Sequence, residues 1–509
     1  MDASRYRRMV LLAAAIITTA MVPADNLTLY AVNDNHPDRA QLRASSGQKV
    51  WTNETGTAVL YKDGDNILVS DSLFTTADWL QVIGRVTPGD VVFDIGETFK
   101  ISPGSNGSKS GFGLDTKSFT KRGPGTLFLD WSSQNSASEE GGTDYGNAMT
   151  CGVDIVKGEI ALMTRNHHNY LGPRTVPFWI HIHDGGTLNL LEGNQTGTFS
   201  APECGMKIQL DAGSSLLNIT NSSATESCLA LHTLKLAGGS FTNGPSAVFT
   251  DANRLGGKCS MKIFNALHFS GETPHAFGFS EGLYPGYLHY SRVKNLAGSD
   301  SFISLNAIHP IEFLVDNIDG GSGVDAYVSM SMFLWGTNTV GRFKCDIVKT
   351  GEGTICFPSN ATGGKTFIGD LTVSNGTLRV DATELFLRTP SLTVSAGAFV
   401  CGHGNVTNLI MEAGGGFSAI VADSSSLMVN GDLFLPATGV IDISNPDALD
   451  EDTIGKVPVV QVTGAISGAE NLQNWKVSFE GVRKPGWKAY LDGSVIKVRQ
   501  SGGLALIIR

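Results

Sequence analysis

The sequence predicts an all-β fold, a parallel β-helix (solenoid) with N- and C-terminal caps. Three observations lead there. Glycine makes up 61 of 509 residues, above the usual ~7% share, while charged residues are 17% and hydrophobic ones 41%. That mixture suits many short strands joined by tight turns and supplies enough apolar side chains to fill a core. Second, residues 120–129 (TKRGPGTLFL) return as residues 348–357 (VKTGEGTICF). Each copy is followed by another glycine-led strand, 153–162 (VDIVKGEIAL) and 371–380 (LTVSNGTLRV). Third, the apolar residues of these copies fall at i and i+2, the period that lines one face of a strand, and a glycine turns the chain between runs. A recurring unit that cannot bury its apolar face alone is the mark of a solenoid.

Residues 1–24 read as a secretory signal peptide. Arg5, Arg7 and Arg8 make a basic start, residues 9–17 an apolar centre, and Val22-Pro23-Ala24 a small-residue exit. Residues 25–118 read as an N-terminal cap and first irregular coils. Their short apolar runs are broken by Asp63-Gly64-Asp65-Asn66 and Pro88-Gly89-Asp90, pairs that favour turns because glycine accepts positive φ and aspartate bonds its own backbone. Within them, 75–86 (TTADWLQVIGRV) is the one stretch that reads as a helix.

Residues 119–446 carry the repeats. Further copies of the strand unit stand at 186–190, 234–241, 392–399 and 409–414, at uneven spacing. The rhythm breaks at about 259–343, where Phe264, Phe269, Phe277, Phe279, Tyr284, Tyr287 and Tyr290 crowd together. Core or loop packing explains such a cluster more simply than a carbohydrate platform. Residues 447–509 read as C-terminal capping hairpins, with Asp492-Gly493 as a hairpin turn.

The net charge of −11 argues against nucleic acid or an anionic membrane as a partner. Losing residues 1–24 leaves the chain more acidic still. No later apolar run reaches the ~20 residues of a membrane span, so no span is expected after signal removal. Seven cysteines (Cys151, Cys204, Cys228, Cys259, Cys345, Cys356 and Cys401) show no CxxC pair. Cys356, inside a strand unit, is expected as a small buried hydrophobe. Cys204 and Cys228 are spaced like neighbouring coils, which does not establish a bridge.

The block Lys349-Thr350-Gly351-Glu352-Gly353-Thr354, with residues 369–380 after it, resembles the autotransporter-associated β-strand repeat. That family pattern is a K-x-G-x-G-T-L strand, a glycine-rich link, and a strand ending N/A-G-T-L. Residues 121–129 with 153–162 look like a more divergent copy, in which Gly158-Glu159-Ile160 replaces Gly-Thr-Leu. The resemblance implies a right-handed parallel β-helix of the kind found in passengers of bacterial surface proteins. The stretch after residue 446 is too short for the membrane barrel that such passengers carry, so a stand-alone exported repeat protein is expected.

The strongest metal-like feature is His181-Ile182-His183-Asp184, which puts two imidazoles on one face of a strand; His167-His168 lies nearby. Two ligands do not make a site. No metal is therefore expected, His181 and His183 being the only candidates, and no cofactor or catalytic residue is expected. The function expected is that of an exported bacterial surface or extracellular β-solenoid with a structural or adhesive role, its partners extracellular glycans or surface proteins. The alternative is a carbohydrate-active β-helix enzyme, a polysaccharide lyase or glycoside hydrolase. Its acids and bases would come from residues such as Asp251, Arg254 and Lys258, or Asp316, Asp319 and Asp325.

Overall fold

The computed structural model describes residues 26–29, 39–42, 51–71, 79–103, 113–130, 151–163, 178–192, 206–218, 227–243, 259–280, 291–295, 302–305, 310–318, 323–328, 346–359, 369–383, 391–420, 426–448 and 457–501. The segment read as a signal peptide lies outside them, as do His167-His168, Cys204, Asp251, Arg254, Lys258, the three clustered tyrosines, Asp319 and Cys345.

Along the described chain, strands alternate between two long parallel sheets. Ser118–Arg122 belongs to sheet I and Thr126–Asp130, after the corner Gly123-Pro124-Gly125, to sheet II. The next coil adds Val153–Ile155 to the first and Gly158–Met163 to the second, in register with the strands below. The alternation runs from Asn26–Leu29 and Arg39–Leu42 to Ile466–Ser467 and Lys476–Phe479. Parallel stacking thus extends past both ends of the 119–446 expected from the motifs. The fold is a parallel β-helix. Sheet II does not close on itself: Arg39–Leu42 pairs only with Trp79–Val82, and Val482–Arg483 only with Lys476–Phe479.

The core between the sheets is a set of stacked apolar rows. One runs Ile67, Val91, Phe119, Val153, Ile180, Ile208, Leu234 and Leu267, each in register with the next and each buried. Fully burying one such side chain is worth about 1.5–3 kcal/mol, and each coil repeats that gain. Many corners from sheet I to sheet II are short, as from Ile155 to Gly158 or Val373 to Thr377, whereas the returns are longer and vary in length. That asymmetry explains why the repeat spacing in the sequence is uneven.

Both ends leave the parallel pattern. Trp51–Thr52 and Ala58–Val59 form an antiparallel pair against Asn26–Leu29, with the Trp51 side chain buried. At the other end Trp487–Asp492 and Val495–Gln500 form a hairpin that pairs antiparallel with Val457–Val462. A turned-back strand uses the edge groups that would otherwise template another chain.

Two readings of the sequence change. Residues 79–86 of the helical candidate are strand, Trp79–Val82 and Arg85–Val86; residues 75–78 fall outside the described chain. Leu80 and Val82 sit in the core row opposite Ile101 and Pro103, and Gly84, at φ 78°, breaks any helical continuation. Registration with a neighbouring strand overrides the weak helical pattern. Within 259–343 the described strands pair differently from the simple alternation expected of single coils. Cys259–Phe269 spans two neighbours, Phe302–Leu305 and Ile311–Val315, while Ser291–Asn295 enters sheet II between Ser240–Asn243 and His275–Ser280. Phe269 and Phe277 there are core residues in edge-to-face contact. Cys356 is buried as expected.

The repeated motif has a physical cause. Lys121 and Lys349 occupy core rows, Lys121 between Phe93 and Ile155, Lys349 between Phe313 and Val373, and are 0% and 1% exposed. The Lys349 ammonium donates to the carbonyls of Gly351 (2.6 Å), Gly353 (2.6 Å) and, in the next coil, Asn375 (2.8 Å). Lys121 donates to Arg122 (2.5 Å), Gly123 (2.9 Å) and, again in the next coil, Lys157 (3.3 Å). Three donors meet three acceptors, which is what burying an ammonium demands. Gly123 and Gly351 take φ of 71° and 76°, a conformation that L side chains rarely adopt. A side chain at Gly376 would strike the Lys349 ammonium itself. The lysine of one coil is therefore matched to the glycine of the next, and the motif needs two strands to be complete.

Candidate functional site

The most concentrated set of polar side chains among the described residues lies on the outer face of sheet I. His181 sits mid-strand on Phe178–Ile182, in register with Asp154 on one side and Gln209 on the other. His183 follows immediately, and Asp211 ends Met206–Asp211. Ile180 and Ile182 point into the core, so the alternation forces His181 outward, and His183 takes the same side.

The two imidazoles stack, with ring centroids 3.7 Å apart. Each ring nitrogen faces a carboxylate oxygen. His181 Nε2 is 2.7 Å from Asp211 Oδ2, and His181 Nδ1 is 3.8 Å from Asp154 Oδ1. His183 Nε2 is 3.2 Å from Asp154 Oδ1, and His183 Nδ1 is 3.5 Å from Asp211 Oδ2. Gln209 donates to Asp211 Oδ1 (2.8 Å), and its amide nitrogen is also 3.0 Å from His181 Nε2. Side-chain exposure of the four principal residues runs from 30% to 49%, so the cluster is open to solvent without being loose. Burial opposes ionisation of Asp211, but the Gln209 and His181 hydrogen bonds and the two imidazoles outweigh it and hold the carboxyl below its ordinary value.

A second cluster lies on sheet II. Cys356, Arg379 and Cys401 stack in register on successive strands. Arg379 Nε donates to Asp381 Oδ2 (2.8 Å), and His403 Nε2 lies 3.5 Å from Asp381 Oδ1. Burial, then the Asp381 charge, pushes the Cys356 thiol well above its ordinary range, so it is no nucleophile at neutral pH. This cluster binds neighbouring coils to one another.

Of the residues considered for an enzymatic groove, Asp316 and Asp325 are among the described ones. Asp325 is buried and accepts from the backbone N–H groups of Ile318 and Thr354, both at 2.6 Å. Asp316 is half exposed and lies 2.9 Å from His268 Nε2.

Of the residues singled out in the sequence, His181 and His183 do come together. Asp154, Asp211 and Gln209 were not anticipated beside them. They stand 28 to 30 residues away from the histidine each faces, on adjacent coils. Only a coil register, here Asp154 against His181 against Gln209, would have revealed them. Comparison with family models, with curated proteins and with solved structures finds no match for this chain.

Proposed function

We propose that the chain is an exported bacterial surface or extracellular β-solenoid with a structural and adhesive role, presenting its outer side chains to extracellular glycans or surface proteins. The observation that carries this reading is the unbroken parallel ladder of sheet I from Asn26–Leu29 to Ile466–Ser467. Such a ladder repeats an outward position once per coil, and binding is then spread over many weak contacts. The basic-apolar-small pattern of residues 1–24 and the K-x-G-x-G-T resemblance support export; the acidic charge favours neutral or cationic partners.

Two measurements test it. Residues 1–24 fused ahead of a reporter should carry that reporter out of a bacterial cytoplasm, and the purified chain should be retained on immobilised glycans or on cells. Retention on neither removes the adhesive role. Incubation with polysaccharides should yield no new reducing ends or unsaturated products. Products that disappear on Asp316→Asn or Asp154→Asn would replace this reading with the carbohydrate-active one.

A further inference from the structure

We propose that Asp154, His181, His183 and Asp211 form a divalent transition-metal site, zinc by preference, that clamps three consecutive coils of sheet I. The donor set is two imidazole nitrogens and two carboxylate oxygens, a combination that suits zinc better than the all-oxygen preference of calcium or magnesium. The ligand atoms offered by Asp154, His181 and His183 all lie within 4.8 Å of one another. Donors held 2.0–2.1 Å from a tetrahedral zinc sit about 3.3 Å apart. With one nitrogen taken from each ring, His183 Nε2 to Asp154 Oδ1 is 3.2 Å and His181 Nε2 to Asp211 Oδ2 is 2.7 Å. Asp154, His181 and His183 are already grouped, and Asp211, 2.7 Å from His181 Nε2, would turn in as the fourth donor.

A second observation points to a cation. A neutral imidazole carries one N–H and one lone pair. With all four ring nitrogens turned towards carboxylate oxygens, two neutral rings leave two of the four contacts as lone pair against lone pair. His181 Nε2 is also asked to play opposite roles, donating to Asp211 while standing 3.0 Å from the Gln209 amide nitrogen, itself a donor. A bound cation removes the first conflict, because it accepts from nitrogen and oxygen alike. Gln209 then keeps its hydrogen bond to Asp211 Oδ1 and orients that carboxylate from outside the coordination sphere.

The placement adds a consequence for the fold. Asp154 belongs to Val153–Ile155, the histidines to Phe178–Ile182 and the turn after it, and Asp211 to Met206–Asp211. One ion would tie these three coils together by side chains as well as by their backbone ladder. Metal that binds the folded chain and not the unfolded one raises its stability by mass action.

The test is a titration of the full chain, stripped of metal by chelator, with zinc sulfate in a calorimeter. One zinc per chain is expected, with affinity tighter than about 100 µM. His181→Ala and His183→Ala should each weaken it at least tenfold, Asp154→Asn and Asp211→Asn should also weaken it, and His268→Ala, elsewhere on sheet I, should leave it unchanged. Cobalt(II) in place of zinc should give the intense visible bands of a four-coordinate ion, lost in both histidine variants. Far-UV circular dichroism of each variant separates loss of binding from loss of fold. No zinc bound by the folded wild type overturns the site. So does binding that survives either histidine substitution, or that His268→Ala removes.

Discussion

The two copies of the repeat motif use the same device with different tightness. Lys349 is held by carbonyls at 2.6, 2.6 and 2.8 Å, and the charge of the buried Asp325 favours its ammonium. Lys121 has a looser cage, at 2.5, 2.9 and 3.3 Å, and the charges that favour its ammonium are those of Asp94 and Asp71. Two of its three carbonyls belong to the two residues that follow it, whereas Lys349 reaches across its whole Gly-x-Gly corner. The copy spelled Lys-x-Gly-x-Gly-Thr, at residues 349–354, is thus the one in which carbonyls hold the lysine most closely. Where the spelling drifts, with Lys157-Gly158-Glu159 in place of Asn375-Gly376-Thr377, the contact with the next coil is the longest of the three. What looks in sequence like a surface motif is an internal bolt between coils.

The largest effect should follow from breaking the tighter bolt. Lys349→Met keeps the apolar stem but leaves the three carbonyls without that donor and Asp325 without its nearby cation. Leaving a buried acceptor without its donor costs about 1–3 kcal/mol, and Lys349 serves three. In a solenoid the loss is local, so amide hydrogen exchange should speed across Ile347–Thr350, Thr354–Phe357 and Thr377–Val380 while Phe178–Ile182 keeps its protection. Lys121→Met should do the same around Ser118–Arg122 and Gly158–Met163 at a smaller cost, about 1–3 kcal/mol, since its cage is looser and its bond to the next coil is 3.3 Å long. Equal losses in the two variants would mean that the tighter cage of Lys349 contributes nothing.

Proton linkage sharpens the contrast. Burial pulls the Lys349 ammonium down to about 7 and that of Lys121 down to about 8, from an ordinary 10.5, against the upward pull of the nearby carboxylates. The unfolded chain keeps both lysines protonated up to that ordinary value, while the folded chain releases its protons earlier. The unfolded state therefore binds more protons in the interval, and stability rises with pH across it. For Lys349 the rise should begin at about 7 and for Lys121 at about 8, both ending near 10.5. Melting of the wild type and of Lys349→Met, compared at each pH, should show a gap that widens upward from neutrality. A constant gap would show that the three carbonyls keep Lys349 charged and that the cage outweighs burial.

The same contrast explains what was legible in the sequence. Gly-x-Gly followed by alternating apolar residues specifies a corner and two strands, which is why the β-helix could be read from residues 120–129 and 348–357. The inward lysine could not, because alternation assigns a charged residue to the outer face by default. The helical reading of 75–86 failed for a related reason: Trp79, Leu80 and Val82 find their partners in Lys100, Ile101 and Pro103, a coil away. At the His181 cluster the sequence supplied two side chains on one face. The carboxylates that give them chemistry come from the coils before and after, across return segments whose lengths follow no rule. Contacts within a corner are local and leave a pattern; contacts between coils depend on register, and one chain does not print its register.

The smallest effect expected belongs to glycines that share a conformation but not an environment. Gly351 and Gly397 have φ of 76° and 78°. A Cβ on Gly397 would meet nothing within 4 Å, whereas on Gly351 it would run into the backbone carbonyl of Val315 in the coil below. Gly397→Ala should therefore cost only the left-handed conformation itself, about 1–2 kcal/mol. Gly351→Ala must add the displacement of a strand and disturb the Lys349 cage, so its loss should exceed that of Gly397→Ala and should shrink when made in a Lys349→Met background. That non-additivity is the measurement of interest, because residues sharing one cage couple whereas separate corners do not. Additive losses would mean that the glycine and the lysine are conserved features of the same corner only by sequence, with no mechanical link between them.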